Sequence, residues 1–193
     1  MKLLGFIFSE SPDCNLQVTN LIRKASQRKY LLRRYSKFMG GDDLKKLYCV
    51  LVRSILEYSA VTYTTQISKY QSNRLENVQK QCLKTMYGYD KTYEQLLQCS
   101  GLESLKDRRN KLFQNFAQKI VKNPNYADLF PLNNSIQNTR RPKVYREIFA
   151  KTDRLYNSPL YAMRRFLNQT PEHSRFNNPN YVDLSDLFND PNS

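Results

Sequence analysis

"RKASQRKYLLRRYSK", residues 23–37, holds seven Lys or Arg and no acid in fifteen positions, with five aliphatic or aromatic side chains set among them. With Asp13 as N-cap and residues placed about 100° apart, Val18, Leu21, Ile22, Ala25, Leu32 and Tyr35 fall on one face. Asn20, Arg23, Gln27, Tyr30, Arg34 and Lys37 fall on the opposite one. The spacing predicts an amphipathic helix with an apolar stripe and a separate basic stripe carrying one tyrosine. Arg28 and Lys29 border the apolar face, where their stems can cover it. Charged helix faces are often no more than solvated surface. Here, though, no acid lies between Asp13 and Asp42 to pair at i,i+4 spacing, and residues 21–53 hold ten bases against two acids. Cations crowded in this way call for a compensating anion. The candidate phosphate-binding residues are therefore Arg23, Lys24, Arg28, Lys29, Arg33, Arg34 and Lys37, with Tyr30 placed to stack on a base or ribose.

Outward from this helix the pattern stays helical. Gly40 and Gly41 read as its stop, and Asp42 opens a helix with a stripe of Leu44, Leu47, Tyr48, Leu51, Ile55 and Tyr58. A third helix runs through Leu75, Val78, Cys82 and Met86 to Gly88. Thr92 with Gln95 forms a capping box for a short helix ending at Gly101, and Ser104 opens a helix carrying Leu105, Leu112, Phe113, Phe116 and Ile120 that stops before Pro124. Upstream, "KLLGFIF" at 2–8 reads as one short strand, bounded by the turn signal "SESPD". Ser158 and Pro159 start a last helix through Leu160, Met163, Phe166 and Leu167. The expected fold is mainly α: a helical bundle with one short N-terminal β-strand and a partly disordered C-terminal tail. Its parts are a strand region 1–12, a bundle 13–122, a proline- and asparagine-rich linker 123–144, a short helical extension 145–168 and a mobile tail 169–193.

The 193 residues are 40% hydrophobic, enough for a core, and carry a formal charge of +14. Residues 1–122 hold 22 basic and 10 acidic side chains, so nearly all of the excess sits there. Such a field attracts polyanions, nucleic acid being the commoner kind. The four cysteines form no CxxC pair and His173 is the only histidine, so neither a zinc site nor any other cofactor is expected, and the thiols read as reduced in an intracellular protein. "MKLLGFIF" is shorter than a signal-peptide core, and the longest apolar stretch is broken by Arg53 and Glu57, so no membrane association is expected. Candidate catalytic carboxylates are few. Asp42 and Asp43 are adjacent but open a helix, where acids favour the dipole. "YADLF" at 126–130 has Leu129 where a polymerase turn would carry its second aspartate. A two-metal site needs several carboxylates on one scaffold, and His173 has no cysteine or serine partner in sequence, so the chain is not expected to be an enzyme.

The segments in their order resemble one family, the C-terminal part of reverse transcriptases of non-LTR (LINE-type, jockey-like) retrotransposons. "KLLGF" resembles the KxLG strand that closes the palm, and "RKASQRKYLLRRYSKF" the first thumb helix. "LYCVLVRSILEYSAVTY" is similar to a hallmark helix of this region, "RLENVQKQCLKTMYG" to the RLExVQ segment, "GLESLKDRRNKLFQNFAQKIVKNP" to the GLxSLxxRR helix, and "DRLYNSPLYAMRRFLN" to the usual end of such reading frames. The similarity covers about residues 1–168. Tyr63 departs from it, standing where a tryptophan is expected. The resemblance implies a thumb and connection region whose fingers and palm, with their YADD-type aspartates, would lie upstream of Met1. It implies that Lys2, Leu3, Leu4 and Gly5 form a primer-grip-like strand and that the thumb clamps an RNA–DNA or DNA duplex by its backbone. The implied partners are that duplex and the fingers and palm, in the nucleus if the element works. Two alternatives stand beside it: a decayed copy without function, and a basic module that meets an acidic protein.

Overall fold

Apolar spacing and helix-end chemistry account for most of the elements in the computed structural model, which describes residues 2–7, 14–133, 143–147 and 149–169. They divide into a unit spanning 1–115 and another spanning 116–193. The fold is mainly helical, as expected, with its strands at the N-terminus.

In the first unit, α1 spans Asn15–Tyr35 and buries Val18, Leu21, Ala25 and Leu32. Asp13 lies outside the described residues, and Cys14 holds the N-cap position without its side chain capping the first N–H groups of the helix. The helix ends at Tyr35, before the glycine pair, which corrects the expected stop. The Ser36 N–H still makes the helical bond to the Leu32 carbonyl at 3.0 Å, but its hydroxyl donates to the Arg33 carbonyl at 2.8 Å, the acceptor that the Lys37 N–H would use in a further turn. Gly40 serves instead as N-cap of α2, Gly41–Tyr48.

α2 passes into a π-helical segment, Cys49–Arg53, and then α3, Ser54–Glu57. The buried residues here are Leu44, Tyr48, Val52 and Leu56, four apart, whereas Leu47, Leu51 and Ile55 are half-buried and Tyr58 is exposed. Steps of four drift around an α-helix of 3.6 residues per turn; the wider π turn brings Val52 and Leu56 back into line. The chain then turns at Tyr58–Ser59, with Ser59 in the left-handed region at φ 56°, into α4, Ala60–Tyr63. Tyr63 is fully buried, and its hydroxyl donates at 2.6 Å to the Leu56 carbonyl that the break sets free.

α5, Lys69–Tyr87, begins with a capping box of Ser68 and Gln71 and buries Leu75, Val78, Cys82 and Leu83. α6, Tyr93–Ser100, has the Thr92/Gln95 box expected from sequence and ends at Gly101, φ 60°. α7 spans Leu105–Val121. Its N-terminus receives Glu76 of α5, whose carboxylate accepts the backbone N–H groups of Leu105 at 2.9 Å and Lys106 at 3.1 Å. Arg109, one turn into α7, is 1% exposed and donates to Ser72 Oγ at 2.7 Å.

The N-terminal β element folds back on itself: β1 (Lys2–Leu3) pairs antiparallel with β2 (Phe6–Ile7). Leu4 and Gly5 form the two-residue turn, both at positive φ, as such hairpins require. The segment thus supplies its own strand partner. It is fixed to the bundle by Phe6, which joins the core, and by the Ile7 N–H, which donates to Gln17 Oε1 at 3.0 Å. The Tyr58 hydroxyl donates to the Leu4 carbonyl.

In the second unit a 3-10 helix, Pro124–Leu129, precedes an antiparallel bridge between Leu132 and Tyr145. The stretch read from sequence as a linker therefore contains both a helical turn and one side of a bridge. α8 (Asp153–Tyr156) and α9 (Pro159–Gln169) follow. Asn168 clamps Tyr145, accepting its N–H at 2.9 Å and donating to its carbonyl at 3.1 Å. Arg164 donates from Nε and Nη2 to the Leu129 carbonyl at 3.0 and 2.7 Å. The tail from residue 170, His173 included, lies outside the described residues.

Candidate nucleic-acid interface

Two side-chain hydrogen bonds, one just ahead of both helices and one between them, show how α1 runs against α5. Cys14 Sγ donates to Gln66 Oε1 at 3.1 Å, and fifteen residues later Lys29 Nζ donates to Gln81 Oε1; both pairs are 52 residues apart. The two helices run side by side in the same direction.

Because α1 is one continuous helix, its cations divide by angle. Arg23, Tyr30 and Arg34 form the ridge opposite the core, Lys24 and Arg28 stand on one flank, and Lys29 and Arg33 stand on the flank toward α5. Lys37 sits in the turn after the helix, so the six-residue stripe read from sequence loses its last member to the early stop. All seven cations are exposed except Lys29, which is half-buried. Arg23 Nη2 donates to Asn20 Oδ1 at 3.3 Å. Among the described residues the ion pairs belong to Lys46, Arg53, Lys91, Arg108, Lys111 and Lys143, so no carboxylate pairs with a cation of residues 23–37.

On the α5 flank lies a groove of about 470 Å³. α1 contributes Ser26, Lys29, Tyr30 and Arg33; α5 contributes Gln81, Lys84 and Thr85; Tyr89 follows just beyond the end of α5. No acid lines it. Tyr30 and Tyr89 are 66% and 69% exposed. Cys82 beneath supplies no counter-charge, since burial pushes its thiol up to about 12 against the opposing pull of Lys29. The C-termini of α1 and α5 each bring about −0.5 of dipole charge. Three cations against about −1 leave the groove at about +2.

The acids of this unit are engaged elsewhere. Of the eight in its described part, Asp42, Asp43, Glu94 and Asp107 stand in first turns of helices, and Glu76 caps α7. Glu57 and Glu103 hold Arg53, Arg108 and Lys111, and Asp90 pairs with Lys91 at 3.7 Å.

The four residues read as a grip strand are split between β1 and its turn, and of Lys2 only the backbone is described. The hairpin meets α1 at Gln17, twelve residues before Lys29, or about 18 Å along the axis, so the structure does not join it to the groove. Asp128 lies in the 3-10 helix, and among the described residues no group of three His, Cys, Asp or Glu could hold a metal. No described helix is long and apolar enough to cross a membrane. Sequence reasoning missed Lys84 and Tyr89. Their signal was weak: Gln81, Lys84 and Thr85 share one edge of α5, but with a single cation among them. Comparison of the chain with family models, curated proteins and solved structures finds no match.

Proposed function

We propose that the unit spanning residues 1–115 binds the backbone of a nucleic-acid duplex along α1, without reading its sequence, in the manner of a non-LTR reverse transcriptase thumb and connection region. The observation that supports this is a helix whose one face is committed to the core while its other surfaces present cations that no described carboxylate neutralises. Arg23 and Arg34 are eleven residues apart, about 16 Å along the helix, or about five base-pair steps of one DNA strand. Lys24 and Arg28 extend the same charge to one side. Contacts of this kind set register and orientation and leave base edges unread. The role is to hold: the unit keeps a primer–template end in place for chemistry performed by a palm, and contributes no reacting group of its own. The exposed Leu3 and Leu4 of the hairpin are the surface offered to that palm.

Salt titration of binding to blunt RNA–DNA and DNA duplexes tests the reading. The affinity is expected to fall log–log with salt at about −0.9 per phosphate contacted on DNA, and the double variant Arg23→Gln/Arg34→Gln to lower that slope by about two. A flat salt response with both duplexes overturns it.

A further inference from the structure

We propose that the groove between α1 and α5 takes a single-stranded nucleic-acid segment continuing from the duplex, its phosphates on Lys29, Arg33 and Lys84 and its bases on Tyr30 and Tyr89. This rests on the duplex-binding reading above and adds a second, chemically different site to it. The occupant follows from charge and shape. The groove carries an uncompensated positive charge, which selects an anion, and two largely exposed tyrosine rings on its wall, which select something with flat faces. Packed helices stand about 8–10 Å apart, too close for a duplex to enter between them, whereas one extended strand can follow the depression. A duplex also hides its base faces in its own stack. A single strand offers them, and stacking on tyrosine tolerates any base because every base has a π-face. The parallel run of the two helices puts Lys29 and Arg33 on one wall and Lys84 on the other, so both sides of a backbone track are basic.

The test compares a blunt duplex with the same duplex carrying an oligothymidylate extension, by fluorescence anisotropy on the full chain. The extension is expected to tighten binding about tenfold. Tyr89→Ala is expected to abolish that advantage while leaving blunt-duplex affinity unchanged, since Tyr89 lies outside the helices and is exposed. Lys84→Gln, tested separately, is expected to reduce it. Equal affinity for both probes, with the salt response to blunt duplex intact, overturns the groove proposal alone. An advantage that survives both variants also overturns it, by placing the strand elsewhere. Absence of salt-dependent binding to either probe overturns the duplex reading beneath it.

Discussion

Two cationic clusters in the same unit face opposite fates. Arg53, Arg108 and Lys111 share a pocket with Glu57 and Glu103: Arg53 Nε donates to Glu57 Oε1 at 2.6 Å, Arg108 Nε reaches the same oxygen at 3.1 Å, and Lys111 meets Glu103. Burial opposes the Arg53 charge, yet the hydrogen bond and charge of Glu57 raise its pKa above the ordinary guanidinium value. Lys29, Arg33 and Lys84 are as many cations in a groove without a carboxylate. The difference teaches where to look for a ligand. A cluster in which every cation meets a carboxylate holds helices together, and one in which no cation does is suited to an external anion.

Glu57→Gln should break the comparison most visibly. It keeps the shape but strands two guanidiniums beside Glu103, so we expect a loss of about 2 kcal/mol in urea denaturation, below the fully buried range because Arg108 is partly exposed. A change below about 0.5 kcal/mol would mean that this pocket is not structural. Next comes Glu76→Gln, which weakens the cap on α7 and should cost about 1 kcal/mol by the same measurement. Smallest is Arg33→Gln/Lys84→Gln, where relief of repulsion and loss of favourable helix-end charge nearly offset; stability should stay within about 0.5 kcal/mol. A loss as large as that of Glu57→Gln would show these cations to be structural and erase the distinction.

Much of this was legible in the sequence. The core face of α1 follows from the periodicity of Val18, Leu21, Ala25 and Leu32, and the Thr92/Gln95 box from local chemistry. The π turn was not, because residues 44–58 fit a 3.6-residue period well enough to hide the extra residue; only the burial of Val52 and Leu56 in place of Leu51 and Ile55 betrays it. Buried Arg109 was hidden for a related reason: an arginine beside Arg108 in a charged stretch looks like surface, and the Ser72 hydroxyl that it meets comes from α5, 37 residues earlier in the chain. Of the candidate site, the cations of α1 were visible as a local run. The 100° spacing already set Arg23, Tyr30 and Arg34 apart from Arg28 and Lys29, but which flank faces α5, and what forms the second wall, needed the register between helices 52 residues apart.

That register makes the groove a product of the tertiary fold. Residues 26–33 and 81–89 become neighbours only after the intervening chain has returned to start α5 alongside α1, so a peptide of α1 alone would keep the ridge and lose the track. Any polyanion that prefers the track must therefore favour the assembled bundle over the open chain. Occupancy would then act as a fold stabiliser, growing with the logarithm of free strand concentration.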